Sequence, residues 1–168
     1  MKKLFFTSIF IAVAMASAFG QNDKEFRKPF TLKLSVDTTT FYEQEVLRSK
    51  YFVKDNILQI YPSESVLIEV EINENEIKSM KIVGKNKNPS KTIEINFIQK
   101  TNGRKHEFMM LEVKNPFKKI LNYDAMMYIV GKDKWLKTSI IPVQPKLGSF
   151  EIWYDVIITL VLSNWRLE

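Results

Sequence analysis

Phe30-Thr31-Leu32-Lys33-Leu34-Ser35-Val36 alternates apolar and polar side chains without a break, placing Phe30, Leu32, Leu34 and Val36 on one side of an extended chain. Successive side chains of a strand point to opposite faces, so a period of two marks a strand with one dry and one wet face. The same split returns in residues 66–72, where Val66, Ile68, Val70 and Ile72 oppose Glu69 and Glu71. It returns again in 92–98, where Ile93, Ile95 and Phe97 oppose Glu94 and Asn96. Further strands are expected at 57–61, 77–83, 106–114, 120–130, 135–143 and 156–167.

Turn-forming residues separate these segments. Asn102-Gly103 is the strongest hairpin signal, because both residues accept the positive φ of a type I′ turn, which would bring Lys100 and Lys105 together at a hairpin end. Residues 73–76, 84–89, 115–116, 131–133 and 144–149 supply the other breaks. Many short strands without intervening helices predict an all-β chain: a single immunoglobulin-like β-sandwich of about eight to ten antiparallel strands, spanning residues 29–168. The one helical candidate is 40–50, where Thr40 and Glu43 form a capping-box pattern, Tyr42 is four residues before Val46, and Arg48 and Lys50 sit near the end. An extended crossover is the alternative for that segment. No repeat or linker divides the chain.

Two segments carry long apolar faces. Leu121, Tyr123, Ala125, Met127 and Ile129 form one, and Val156, Ile158, Leu160 and Leu162 form another. The last strand is also apolar on its second face through Ile157 and Val161. That pattern implies a central position or a covered face. A second face left open in the monomer would be a surface for an oligomer or another partner.

The amino terminus reads as an export signal. Lys2 and Lys3 precede an uncharged apolar run, and small residues at Ala18 and Gly20 suit cleavage before Gln21. Residues 1–20 are thus expected to be a cleaved signal peptide, because the run is shorter than the roughly 20 residues of a membrane-spanning helix. Residues 21–28 are polar and read as a flexible lead. The chain has no cysteine to accept a lipid, so a periplasmic or secreted protein is expected, with no transmembrane segment in the mature chain. Zero cysteines in an exported chain also imply a core large enough to do without disulfides.

Charge and residue content narrow the chemistry. Net charge is +6, falling to +4 once Lys2 and Lys3 leave, and the lysines are scattered among acids rather than concentrated on a stripe, so no nucleic-acid partner is expected. The single histidine, His106, follows Arg104-Lys105 on a strand and reads as a surface residue. Without a second histidine, a cysteine or a Gly-x-Ser-x-Gly elbow, no catalytic residue is assigned. No metal site or cofactor is expected either, because the acidic turn at 73–76 has neither the glycine nor the spacing of a calcium loop. Glu64, Glu69, Glu71, Glu74 and Glu76 are dense enough to raise a glycan-active hydrolase with paired carboxylates as an alternative. Alternation places Glu69 and Glu71 on a solvated strand face.

Aromatic residues provide the ligand-binding candidates: Trp135, Trp153 and Tyr154, which with Trp165 lie in the last quarter of the chain. Flat rings beside polar groups serve sugar and peptide ligands, although large aromatics in sandwiches commonly fill the core. Trp135, after the turn at 131–133, is the one expected to stand outside. The function expected from these features is a non-enzymatic binding or interaction module of the cell envelope, its partner an envelope protein or glycan.

Overall fold

The computed structural model describes residues 23–74 and 76–168. The signal peptide expected at 1–20 lies outside the described residues. Among the described residues no helix is long and apolar enough to cross a membrane.

The protein is all-β, with 65% of the described residues in strands, and two antiparallel sheets of five strands each face one another as a sandwich. In chain order the strands are β1 (Phe26–Arg27), β2 (Phe30–Ser35), β3 (Phe41–Val46), β4 (Ser49–Lys50), β5 (Phe52–Lys54), β6 (Ile57–Ile60) and β7 (Glu64–Asn73). They continue with β8 (Glu76–Val83), β9 (Thr92–Asn102), β10 (Lys105–Lys114), β11 (Leu121–Ile129), β12 (Trp135–Thr138), β13 (Gly148–Trp153) and β14 (Ile157–Leu167). Sheet I runs β13-β10-β9-β7-β8, sheet II runs β12-β11-β14-β6-β5, and β2-β3 and β1-β4 form two small pairs.

The dry faces anticipated from alternation meet between the sheets. Ile68, Ile93, Phe97, Met109 and Leu111 from sheet I pack with Leu58, Ile60, Leu121, Ala125, Leu160 and Leu162 from sheet II, all fully buried. Each of these side chains larger than Ala125 contributes about 1.5–3 kcal/mol relative to exposure. The β9–β10 hairpin forms at the expected place, but its loop is shifted by one residue. Asn102 pairs with Lys105, so Gly103 and Arg104 occupy the turn, and Lys100 lies opposite Phe108 rather than near Lys105. Gly103 alone has positive φ, at 59°, which is the pattern of a type II′ turn rather than I′.

The 40–50 segment is not a helix. Residues 41–46 pair with β2 from Phe30↔Val46 to Ser35↔Phe41. Tyr42 and Val46 share a face at helical spacing, but four is also an even number, so they share a face in a strand too. The apolar stripe of β2 supplied the partner that settled the choice. Leu32, Leu34 and Val46 bury against Val156 and Ile158, with Tyr128 and Val130 beside them. The β2–β3 hairpin is therefore a third layer on the back of sheet II, and it covers Val156 and Ile158 of the last segment.

A bulge in β14 redistributes its side chains. Register shifts between Tyr128↔Thr159 and Ile129↔Ile157, so one extra residue intervenes and the alternation changes phase. Ile157 joins Leu160 and Leu162 in the central core, while Val156 and Ile158 face the hairpin.

Within the polar segment before residue 29, Arg27 is anchored. Arg27 is 1% exposed and pairs with Glu64, itself 8% exposed, with Nε donating to Oε1 at 2.9 Å. Nη2 donates to Gln59 O at 2.7 Å and to Glu64 Oε2 at 3.4 Å, and Nη1 donates to Ser49 Oγ at 2.9 Å and Lys50 O at 3.4 Å. All five guanidinium protons thus have acceptors. The rings of Tyr51 and Tyr61 lie 4.8 and 4.9 Å from the guanidinium carbon. Glu64 Oε2 also accepts from Tyr61 N at 2.8 Å.

Candidate binding surface

Of the carboxylates suggested for catalysis, Glu69 and Glu71 border one concavity with Lys81 and Lys91, and Glu64 stands elsewhere. Glu64 belongs to the Arg27 anchor. Glu69 pairs with Lys81, whose ammonium, followed by the Asn88 amide, holds its carboxyl below the ordinary value, the direction opposite to a general acid. Glu71 accepts from Ser79, and Glu74 and Glu76 are exposed in and beside the β7–β8 turn. Among the described residues no three histidine or acidic side chains gather as metal ligands.

His106 is a structural link. Gln99 donates from Nε2 to Ser35 O at 2.8 Å and accepts from Ser35 N at 2.9 Å, which fixes its amide. The same Nε2 reaches His106 Nδ1 at 2.9 Å, so Nδ1 accepts and Nε2 donates to Tyr154 O at 3.1 Å. The network assigns the neutral Nε2–H tautomer and ties the turn after β13 to the β9–β10 hairpin.

The three aromatic candidates do not converge. Trp135 is 40% exposed on edge strand β12, its ring 5.4 Å from that of Tyr128. Trp153 is half-buried against the core and donates from Nε1 to Thr138 Oγ1 at 3.0 Å, closing the sandwich between the β12 and β13 edges. Tyr154 is 81% exposed just beyond β13. Trp165, packed face to face on Tyr123, is a core residue.

What surrounds Tyr154 is more informative than the tryptophans. Strand β13 inverts the usual alternation: Glu151 points inward, 9% exposed, while Phe150 and Ile152 point outward at 56% and 49% exposure. The inversion holds because Ile141 N donates to Glu151 Oε1 at 2.6 Å, so the inward carboxylate has a partner. On the outer face Ile152 lies opposite Met110, and Met110 lies opposite Ile98, a row of three apolar side chains across three strands. Phe150, Tyr154 and half-buried Phe108 flank that row.

The strand is also a free edge. β13 ends sheet I, and its ladder to β10 is its only backbone pairing among the described residues. Edge strands are ordinarily protected by lysine, proline or shortness. The other edges of the two five-stranded sheets follow that rule: β8 carries Lys78 and Lys81, β12 has four residues including Lys137, and β5 has three including Lys54. β13 has six residues and no lysine, arginine or proline. The sequence offered one signal for this, the Phe150-Glu151-Ile152-Trp153 alternation, but nothing in it told which face was outside.

Comparison with family models, with curated proteins and with solved structures returns no match for this chain.

Proposed function

We propose that the protein is a non-enzymatic binding module acting in the periplasm or outside the cell, and that β13 with the outer face of β10 is its binding surface. The observation that supports this reading is the β13 edge, free of lysine, arginine and proline, beside exposed Phe150, Ile152 and Tyr154. An edge of this kind accepts an extended segment as an added strand, with main-chain hydrogen bonds for affinity and apolar contacts for selectivity. An envelope protein with an extended apolar-alternating segment is the partner class that fits. The scaffold belongs to the same proposal as an immunoglobulin-like sandwich, a reading supported by two facing antiparallel sheets and a chain that crosses repeatedly between them.

The test is capture from cell-envelope extract by immobilised wild-type protein beside an Ile152→Lys variant, with bound material identified by mass spectrometry. A protein retained by wild type and lost from the variant is the expected result. Equal retention by both, or cleavage of an envelope glycan by the purified protein, refutes the reading.

A further inference from the structure

Two concavities, of about 680 and 720 Å³, lie at the opposite edge of sheet I from β13, along β7 and β8. The first is bounded by the β1–β2 segment on one side and β7–β8 on the other. Its apolar wall is formed by half-buried Phe26, Phe30, Leu67 and Val83. Its size falls within the range of sites for small organic ligands, roughly 300–1,000 Å³.

Its charge is one-sided. The lining includes one carboxylate, Glu64, and that group is taken by Arg27, whose own donors are all engaged. Lys24 and Lys28 line the same cleft, are exposed, and have no carboxylate partner among the described residues. Lys24 is seated rather than adrift. A Cβ at Gly84 would stand 3.0 Å from Lys24 Cε and 3.2 Å from Cδ, so the missing side chain at Gly84 makes room for the lysine stem to lie over the end of β8.

A second observation concerns the backbone. Ser63 lines the cleft with φ of 75°. It follows Pro62 in a turn closed by Glu64 N donating to Tyr61 O at 3.1 Å, the arrangement of a type II turn, in which glycine is the favoured residue at this position. A side chain held in that region against its preference, with its exposed hydroxyl at a cleft, is the kind of strain found at ligand sites.

We propose that this cleft binds an anionic amphiphile: an acyl chain against Phe26, Phe30, Leu67 and Val83, an acidic head group met by Lys24 and Lys28, and a polar contact from the Ser63 hydroxyl. The site is independent of the β13 surface. An apolar wall alone would accept a neutral chain equally well, and two unpaired ammonium groups at its rim are what select the acid.

The experiment titrates the purified protein calorimetrically with decanoate, decyl phosphate and neutral decanol below their aggregation concentrations, with acetate and inorganic phosphate as chainless controls. Saturable 1:1 binding of a ten-carbon acid at least tenfold tighter than decanol, with the short anions failing to bind, is the expected result. Whichever acid binds more tightly identifies the head group as carboxylate or phosphate. Lys24→Gln with Lys28→Gln lowers the acid affinity at least tenfold without moving the thermal midpoint, because both side chains are exposed. Ser63→Gly raises the thermal midpoint, by relaxing the turn, and weakens acid binding about threefold or more. Equal affinity for decanol, binding unchanged in the lysine variant, or binding unchanged in Ser63→Gly overturns the assignment.

Discussion

Removing the Arg27 guanidinium while keeping most of its stem, as Arg27→Met, leaves the Glu64 carboxylate buried without its cation. It also strips the donors from Ser49 Oγ, Lys50 O and Gln59 O. Breaking a buried ion pair from one side typically costs about 3–5 kcal/mol, because the remaining charge stays in a poorly solvating site. Against a total stability of about 5–15 kcal/mol that is a large share. It corresponds to a fall in thermal midpoint of roughly 10 °C or more for a chain of this size. Glu64→Gln should cost less, since an amide still offers Arg27 an acceptor. The double variant Arg27→Met/Glu64→Gln leaves no orphaned charge and should be less destabilised than the two singles added together, with a coupling of about 1–3 kcal/mol. Urea unfolding followed by tryptophan fluorescence measures all four proteins, since Trp165 is buried and reports the core. A single Arg27→Met variant within about 1 kcal/mol of wild type, or strict additivity in the double, refutes the anchor as a charge-paired unit.

Three other outcomes follow from the same contacts. Asp37 Oδ1 accepts from Thr39 N at 2.8 Å and Thr40 N at 2.7 Å in the β2–β3 turn, and these backbone bonds lower its pKa from 3.8 to about 2. Its folded-state pKa is depressed, so the stabilisation is complete above about pH 4 and fades as pH falls toward 2. The urea midpoint of wild type should exceed that of Asp37→Ala at pH 6, and the gap should narrow between pH 4 and pH 2. Leu34→Ala, 2% exposed where the hairpin meets sheet II, should cost about 2–4 kcal/mol. It should also raise amide exchange in β2 and β3 well before the central strands. Tyr123→Phe should leave stability unchanged or raise it by up to about 1 kcal/mol, because burial holds the Tyr123 hydroxyl without a protein partner and pushes its pKa up.

The period of two in 30–36, 66–72 and 92–98 was sufficient to determine the class of the fold and most inward-facing residues, because alternation is a local property of an extended chain. Residues 57–61, 77–83, 106–114, 120–130 and 156–167 became β6, β8, β10, β11 and β14 within a residue or two. What required tertiary structure was every choice between two locally equivalent options. Tyr42 and Val46 suited a helix or a strand until β2 offered a ladder. Ile157 and Ile158 exchanged roles through a bulge set by pairing with β11. Arg27 sat in a run too polar to pack until Glu64, from the start of β7, supplied its counter-charge. The exposed face of β13 depended on Ile141 N reaching Glu151. Local pattern states which side chains share a face; the partner that covers or charges that face comes from far along the chain. Buried charges and outward apolar side chains are therefore decided only when the layers meet.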